Sequence, residues 1–405
     1  MTDFCRRSVL ASIGAVASIG VCGCISDGST TFHDAPMMQY DAGNTGYHPA
    51  TTGPTGDLTV EWRHESGVPR SLNTSQPVVA DGTLYYMAGG LGPRSPLFAV
   101  DAETGEQQWT SEPGGYQMKT PAVWNDLVVV PIDGTLYGLS VDDGSARWSI
   151  QLADGGYSPT VANGVAYVIT YDGGIHAIDL TDGTEQWYVE PRDEFYEQGP
   201  NDHRVKRGPF STVAEGLVIC NSGSDELVAR DTADGSVAWR TSPSPSGPVT
   251  AVDARLFGID YDSVWTWEIA TGDSRQRTTI DTPHQGGSVS NPRGVAVDDE
   301  TVYVGGTDGG FSAIDRDGHV RWSVQLLDGQ LASAPVVVDG VVYVRWNMPM
   351  EPVAKLFGIT ANGDVVLDYN IQGIASQPVV LNGCLYTGVT EDPQRGARMT
   401  AFAAE

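Results

Sequence analysis

From about residue 58 onward the apolar positions fall in short alternating runs cut by Gly, Asn and Asp, and no useful length carries the 3.6-residue period of an amphipathic helix. The clearest run has five residues: LFAVD (97–101), LYGLS (136–140), IHAID (175–179), LVARD (227–231), VWTWE (264–268), FSAID (311–315), LFGIT (356–360) and MTAFA (399–403). It recurs at the ~40–50-residue spacing of repeat architectures. Its middle residue is small in every copy: Ala99, Gly138, Ala177, Ala229, Thr266, Ala313, Gly358 and Ala401. A Gly-bearing turn follows (Gly105, Gly144, Gly183, Gly235, Gly272, Gly318, Gly363), and four residues later stands Trp109, Trp148, Trp187, Trp239 or Trp322. Copies five and seven carry Gln276 and Leu367 there instead. Upstream, each unit opens on a proline before an apolar strand, then turns tightly at pairs such as Asp81-Gly82, Asn163-Gly164, Asp339-Gly340 and Asn382-Gly383.

Each unit therefore predicts four antiparallel strands, A to D, and there are eight units. The last unit stops inside the turn before its Trp-strand, whereas a spare Trp-strand, LTVEWRH with Trp62, lies near residue 58. Pairing the spare strand onto the last unit closes a ring without open edges. The expectation is an all-β, eight-bladed propeller over residues 58–405, monomeric, with Cys220 and Cys384 on opposite sides of the ring. Too far apart for the ~5.5 Å Cα separation of a disulfide, both are expected as buried free thiols.

The pattern resembles the pyrroloquinoline-quinone-like (PQQ-like) repeat, whose motif Ala-x-Asp-x-x-Thr-Gly-x-x-x-Trp is matched in full by Ala99, Asp101, Thr104, Gly105 and Trp109. The resemblance implies that Trp62, Trp109, Trp148, Trp187, Trp239 and Trp322 dock between neighbouring blades. It also implies two functional classes. One is the lipoprotein scaffold family of the outer-membrane barrel assembly factor. The other is the quinoprotein dehydrogenases, in which PQQ and Ca²⁺ need converging oxygen ligands and an Asp base.

Residues 1–23 resemble a twin-arginine lipoprotein signal: Arg6-Arg7, a short apolar run, then Gly23 before Cys24, the expected lipidated residue. Residues 24–57 are expected to be a tether and lead-in. The address is the outer face of the cell membrane, with membrane contact through the lipid alone. Charge narrows the partners: 51 acids against 23 Lys and Arg give a formal charge of −28, and Arg outnumbers Lys 20 to 3. Such a surface suits high salt and excludes nucleic acid, which is bound by clustered cations.

Candidate chemistry is sparse. The D-to-A crossovers and B–C loops surround one end of the central funnel, and their polar residues are the binding candidates: Arg70, Asn73, Lys119, Tyr157, His284 and Arg293. His203, Arg204, Lys206 and Arg207 add a dense cationic cluster in the longest insertion. There is no nucleophile elbow, phosphate loop or paired-His metal motif, and His176 reads as a packed or paired histidine. No catalytic residue, metal or cofactor is expected. The reading is a surface-anchored, non-enzymatic propeller with protein partners or a ligand, the alternative being a PQQ/Ca²⁺-dependent dehydrogenase.

Overall fold

The computed structural model describes residues 34–405, apart from 69–70, 91–94, 113–114, 116–117, 153, 192–209, 222–225, 246, 261–262, 280–293, 306–308, 328–332, 348–352 and 393. Eight antiparallel sheets follow one another along the chain, and no helix occurs among the described residues. Blade one is typical: Val78–Ala80, Thr83–Gly90, Leu97–Asp101 and Gln107–Ser111 form strands A to D. The A–B pairs turn as the sequence predicts. Asp81 and Gly82 have φ of 46° and 74°, Asn163 and Gly164 51° and 79°, and Asn382 and Gly383 52° and 78°. Positive φ at both central residues matches the right-handed twist of the strands they join.

Blade eight takes its outer strand from the other end of the chain. Leu58–Glu65 pairs antiparallel with Arg398–Ala404, running from Leu58 opposite Ala404 to Glu65 opposite Arg398. One apolar cluster then runs through blades seven, eight and one, including Trp62, Phe98, Val336, Leu385 and Phe402.

The tryptophans work in two steps. Each faces the small residue of strand C in its own blade, as Trp109 faces Ala99 and Trp148 faces Gly138, where a Cβ would stand 2.2 Å from the indole. The ring then projects over the Gly turn of the next blade. The Trp62 indole N–H donates to the Ala102 carbonyl at 3.1 Å, Trp109 to Val141 at 2.7 Å, Trp187 to Thr232 at 2.8 Å and Trp239 to Ile269 at 2.7 Å. So the notch for each indole lies in its own blade, and the neighbour supplies a carbonyl and a bare glycine. Where the Trp is missing the seam adapts: Leu367 packs against Gly358, and Gly318 receives the backbone of Arg277.

Cys220 is a buried free thiol, and burial pushes its pKa up to about 11. The expectation for Cys384 is corrected, because it is disulfide-bonded, with a partner outside the described residues. Ring geometry separates Cys384 from Cys220 but not from the lead-in, which runs beside this strand: Thr51 Oγ1 accepts from the Asn382 N–H at 2.6 Å and the Thr52 carbonyl from Gly383 at 2.9 Å.

Candidate functional site

Strand A of each blade is innermost, and its free edge lines the axis of the ring. Residues 34–48 fill that axis. Backbone N–H groups of Val79, Val123, Val213, Ala251, Val297 and Val337 donate to the carbonyls of Ala35, Pro36, Ala42, Gly43, Thr45 and Gly46 at 2.6–3.0 Å. In blade eight the Tyr40 hydroxyl takes both roles, accepting from Val380 N–H at 3.1 Å and donating to its carbonyl at 3.2 Å. Asn44 reaches Ser211 O and Thr212 Oγ1 at 3.0 and 2.8 Å, and Tyr47–His48 runs parallel to Val336–Val338. Inner-edge donors that would otherwise need water are thus satisfied by the chain itself.

Such a plug must coil tightly. Gln39, Tyr40 and Asn44 take positive φ, as does Gly46 at 60°, where a Cβ would stand 2.9 Å from Pro335 O and 3.1 Å from Ala296 Cβ. Burial raises the Asp41 carboxyl pKa, against which the Thr45 hydroxyl and N–H pull down. Both ends of the plug segment stay near the A–B turns: Asp34 caps the Asp81 N–H at 2.9 Å, and Tyr47–His48 lies opposite Val337 and Val338, just before Asp339-Gly340. The plug therefore closes the axis at the A–B end and leaves the crossovers around the other.

On that other side Lys119 and Tyr157 come together. The Lys119 ammonium lies 4.8 Å from the ring centroid of Tyr157 and 4.9 Å from that of Tyr171, and the two rings meet edge to face at 4.8 Å. Burial holds the Lys119 pKa below its ordinary value, while the π faces favour its charge. Asn73 lies apart in Ser71–Thr74, beside strand B of blade one. Arg70, His203, Arg204, Lys206, Arg207, His284, Arg293 and Cys24 lie outside the described residues. His176 pairs with Glu185 at 2.6 Å and packs on Tyr188.

Two groups of residues escaped the sequence reading. One is the plug, whose pattern carries no repeat. The other is Asn221, Arg230 and Arg240, which line a narrow cleft between blades three and four. A signal for it was present in the repeat. The strand C position held by Arg230 is Val100, Leu139, Ile178, Trp267, Ile314, Ile359 and Phe402 in the other blades, all buried.

A metal-bound quinone needs several converging oxygen ligands. Among the described residues no group of three or more His, Cys, Asp or Glu side chains could hold a metal ion, and the plug occupies the axis. The described residues do not fit that group.

An eight-bladed ring of stapled four-stranded sheets with a self-filled axis defines a repeat propeller of the PQQ-like class. The family described as outer membrane protein assembly factor BamB matches residues 95–243 and 247–347, more than half of the chain, and the protein belongs to that family. No curated protein matches the sequence. Among solved structures, BamB from Moraxella catarrhalis is 19% identical with a TM-score of 0.62, covering 86% of this chain and 98% of its own. The quinohemoprotein alcohol dehydrogenase from Comamonas testosteroni is 15% identical with a TM-score of 0.65, covering 91% and 80%. A europium-containing methanol dehydrogenase is 14% identical with a TM-score of 0.66, covering 91% and 98%. At these identities the structural likenesses establish the fold alone.

Proposed function

We propose that this protein is a non-enzymatic scaffold that presents the crossover face of its ring to protein partners outside the cytoplasmic membrane. Twin-arginine export and a lipid on Cys24 would hold it there, and because that processing removes Cys5 and Cys22 and acylates Cys24, Cys384 would be a free thiol in the anchored form. The observation that carries this reading is the filled axis. With the A–B end closed by the chain's own backbone, the crossover face is left as the place where varied side chains meet a partner. Membership of the BamB family supports the same reading. The cationic cluster of Arg204, Lys206 and Arg207, on the insertion before blade four, is proposed as part of that surface.

Lys119 offers the test within the described residues. A half-buried ammonium with a depressed pKa gives up hydration that two aromatic faces replace only in part, a contact of ~0.5–2 kcal/mol. Lys119→Met is therefore expected to change stability by less than about 1 kcal/mol, measured by denaturant unfolding. A photo-crosslinking side chain at position 157 is expected to give a discrete adduct in intact cells. One at exposed position 103, on the C–D turn of blade one, should give none, and Lys119→Met should abolish the adduct from 157. Equal adducts from both positions, or none from either, would overturn the scaffold reading. So would a rise of several degrees in melting temperature on adding PQQ with Ca²⁺, because a ligand bound only by the native state stabilises it.

A further inference from the structure

Strand D of blade five, Ser274–Thr279, departs from the repeat in register as well as in sequence. In six blades an indole stands opposite the small residue of strand C, and in blade seven Leu367 stands opposite Gly358. In blade five Arg275 takes that place, opposite Thr266, and Gln276 is carried one step on, opposite Trp265. Arg277 follows at the bulge, and its Nε donates to the Thr266 hydroxyl at 2.8 Å. Two guanidinium groups therefore share the Thr266 face, where other blades seat a ring.

Their charge is unmet. Arg147, Arg240 and Arg321, on strand D of blades two, four and six, pair with Asp126, Glu226 and Glu300. Among the described residues neither Arg275 nor Arg277 pairs with a carboxylate, although the chain carries 51 acids. Glu268 is held by Arg255 at 3.4 Å, and Asp317, on the turn of the next blade, forms no ion pair with either arginine. Burial, then the charges of Arg275 and Arg255, holds the Arg277 pKa below its ordinary value. Of the eight outer strands this one alone carries two arginines and no acid.

The strand ends its sheet, so its outward N–H and C=O groups are open to pairing. A cationic edge repels a second edge of its own kind and attracts an acidic one. Arg275 and Arg277 stand two positions apart on one face, which matches alternate residues of an extended partner. A small anion would meet the charge but leave the backbone edge unused. We propose that the outer edge of blade five binds an extended acidic segment of a protein partner, which adds to the sheet as a further strand. Carboxylates at alternate positions of that segment meet Arg275 and Arg277. The site lies on the outer strand, away from the Lys119 surface, and does not rest on the scaffold reading made there.

Fluorescence anisotropy with the full chain tests this, using two labelled octapeptides of one composition, TTDVDVTT and TTDDVVTT. The first sets both carboxylates on one face of a strand, the second on opposite faces. TTDVDVTT is expected to bind at least tenfold more tightly and to weaken as salt rises to molar concentration. It should also slow hydrogen exchange across Ser274–Thr279. Arg275→Gln, at an exposed position, should weaken this peptide at least tenfold and keep the native unfolding transition. Arg277→Gln should weaken it likewise, and either variant decides if the other misfolds. No saturable binding of TTDVDVTT, or undiminished binding in a folded variant, would overturn the site. Equal affinity for the two peptides, or for TTDVDVTT N-methylated at alternate amides, would overturn strand addition. Heparin bound through the same arginines, with no peptide bound, would replace the acidic segment by a sulfated polysaccharide.

Discussion

Replacing Trp62 with alanine is expected to destabilise the ring by about 3–5 kcal/mol, the scale of a large aromatic removed from a core. Its indole is 9% exposed, packs 5.9 Å from Tyr386 and donates to Ala102 in blade one. A Cβ on Gly105 would stand 2.6 Å from its ring, a measure of how closely blade one approaches. Unlike the other five stapling tryptophans, Trp62 stands on the strand that joins the two ends of the chain. Its loss weakens a seam and the closure together. Trp322 serves as the control, being more exposed and bonded to Ala361 within an unbroken run of blades. Guanidinium unfolding of the two alanine variants should show the larger loss at Trp62. Equal losses would mean that closure adds nothing to the seam.

The same strand carries a pH dependence. His64 Nδ1 lies 2.6 Å from the Tyr86 hydroxyl and Nε2 3.1 Å from Gln107 Oε1, an arrangement that suits the neutral ring with its proton on Nε2. Burial holds its pKa below 6.5, more than Gln107 and Glu65 raise it. The unfolded chain then binds this proton more readily than the folded one. The contribution is whole above the unfolded value of about 6.5 and is lost as pH falls from there through the folded value. Melting temperatures from pH 7.5 to 5 should decline in the native protein and decline less in His64→Gln.

Much of the ring was legible because each of its rules repeats. Asp81-Gly82 or Asn382-Gly383 announces a turn through backbone conformation, and Ala99 with Trp109 announces a packed pair through size. Eight renderings of a local rule make an unambiguous count, and the two incomplete ends make the closure legible. The destination of residues 34–48 was not, because the plug follows no internal period. Most of its contacts are backbone carbonyls, available from any residue type, and its partners lie as far as 340 positions away, as Val380 does from Tyr40. The pairing of Lys119 with Tyr157 was half legible. Both belong to crossovers, but Tyr171, which completes the contact, comes from the B–C loop of blade three. Arg230 was hidden differently. As part of LVARD it looks like one more member of the repeat, and only comparison of the same position across all blades exposes a charge where seven others are apolar.

Gly46→Val is expected to cost about 2–5 kcal/mol by forcing the plug out of register. A β-branched residue at φ 60° carries strain of ~1–2 kcal/mol, and overpacking against Pro335 and Ala296 adds ~1–3 kcal/mol. Gly56 separates the two effects, since its φ is 80° but a Cβ there meets nothing within 4 Å. Gly56→Val should therefore lose only the strain. Hydrogen exchange adds the spatial readout. The amides of Val297 and Val337, bonded to Thr45 and Gly46, should lose protection in Gly46→Val. Those of Val79 and Val123, bonded to Ala35 and Pro36 at the other end of the plug, should keep it. Protection lost at all of these amides together would mean that the plug leaves as one cooperative unit. Protection lost at none would mean that the inner strands hold their donors without it, and the filled axis would then be a consequence of the ring and not one of its supports.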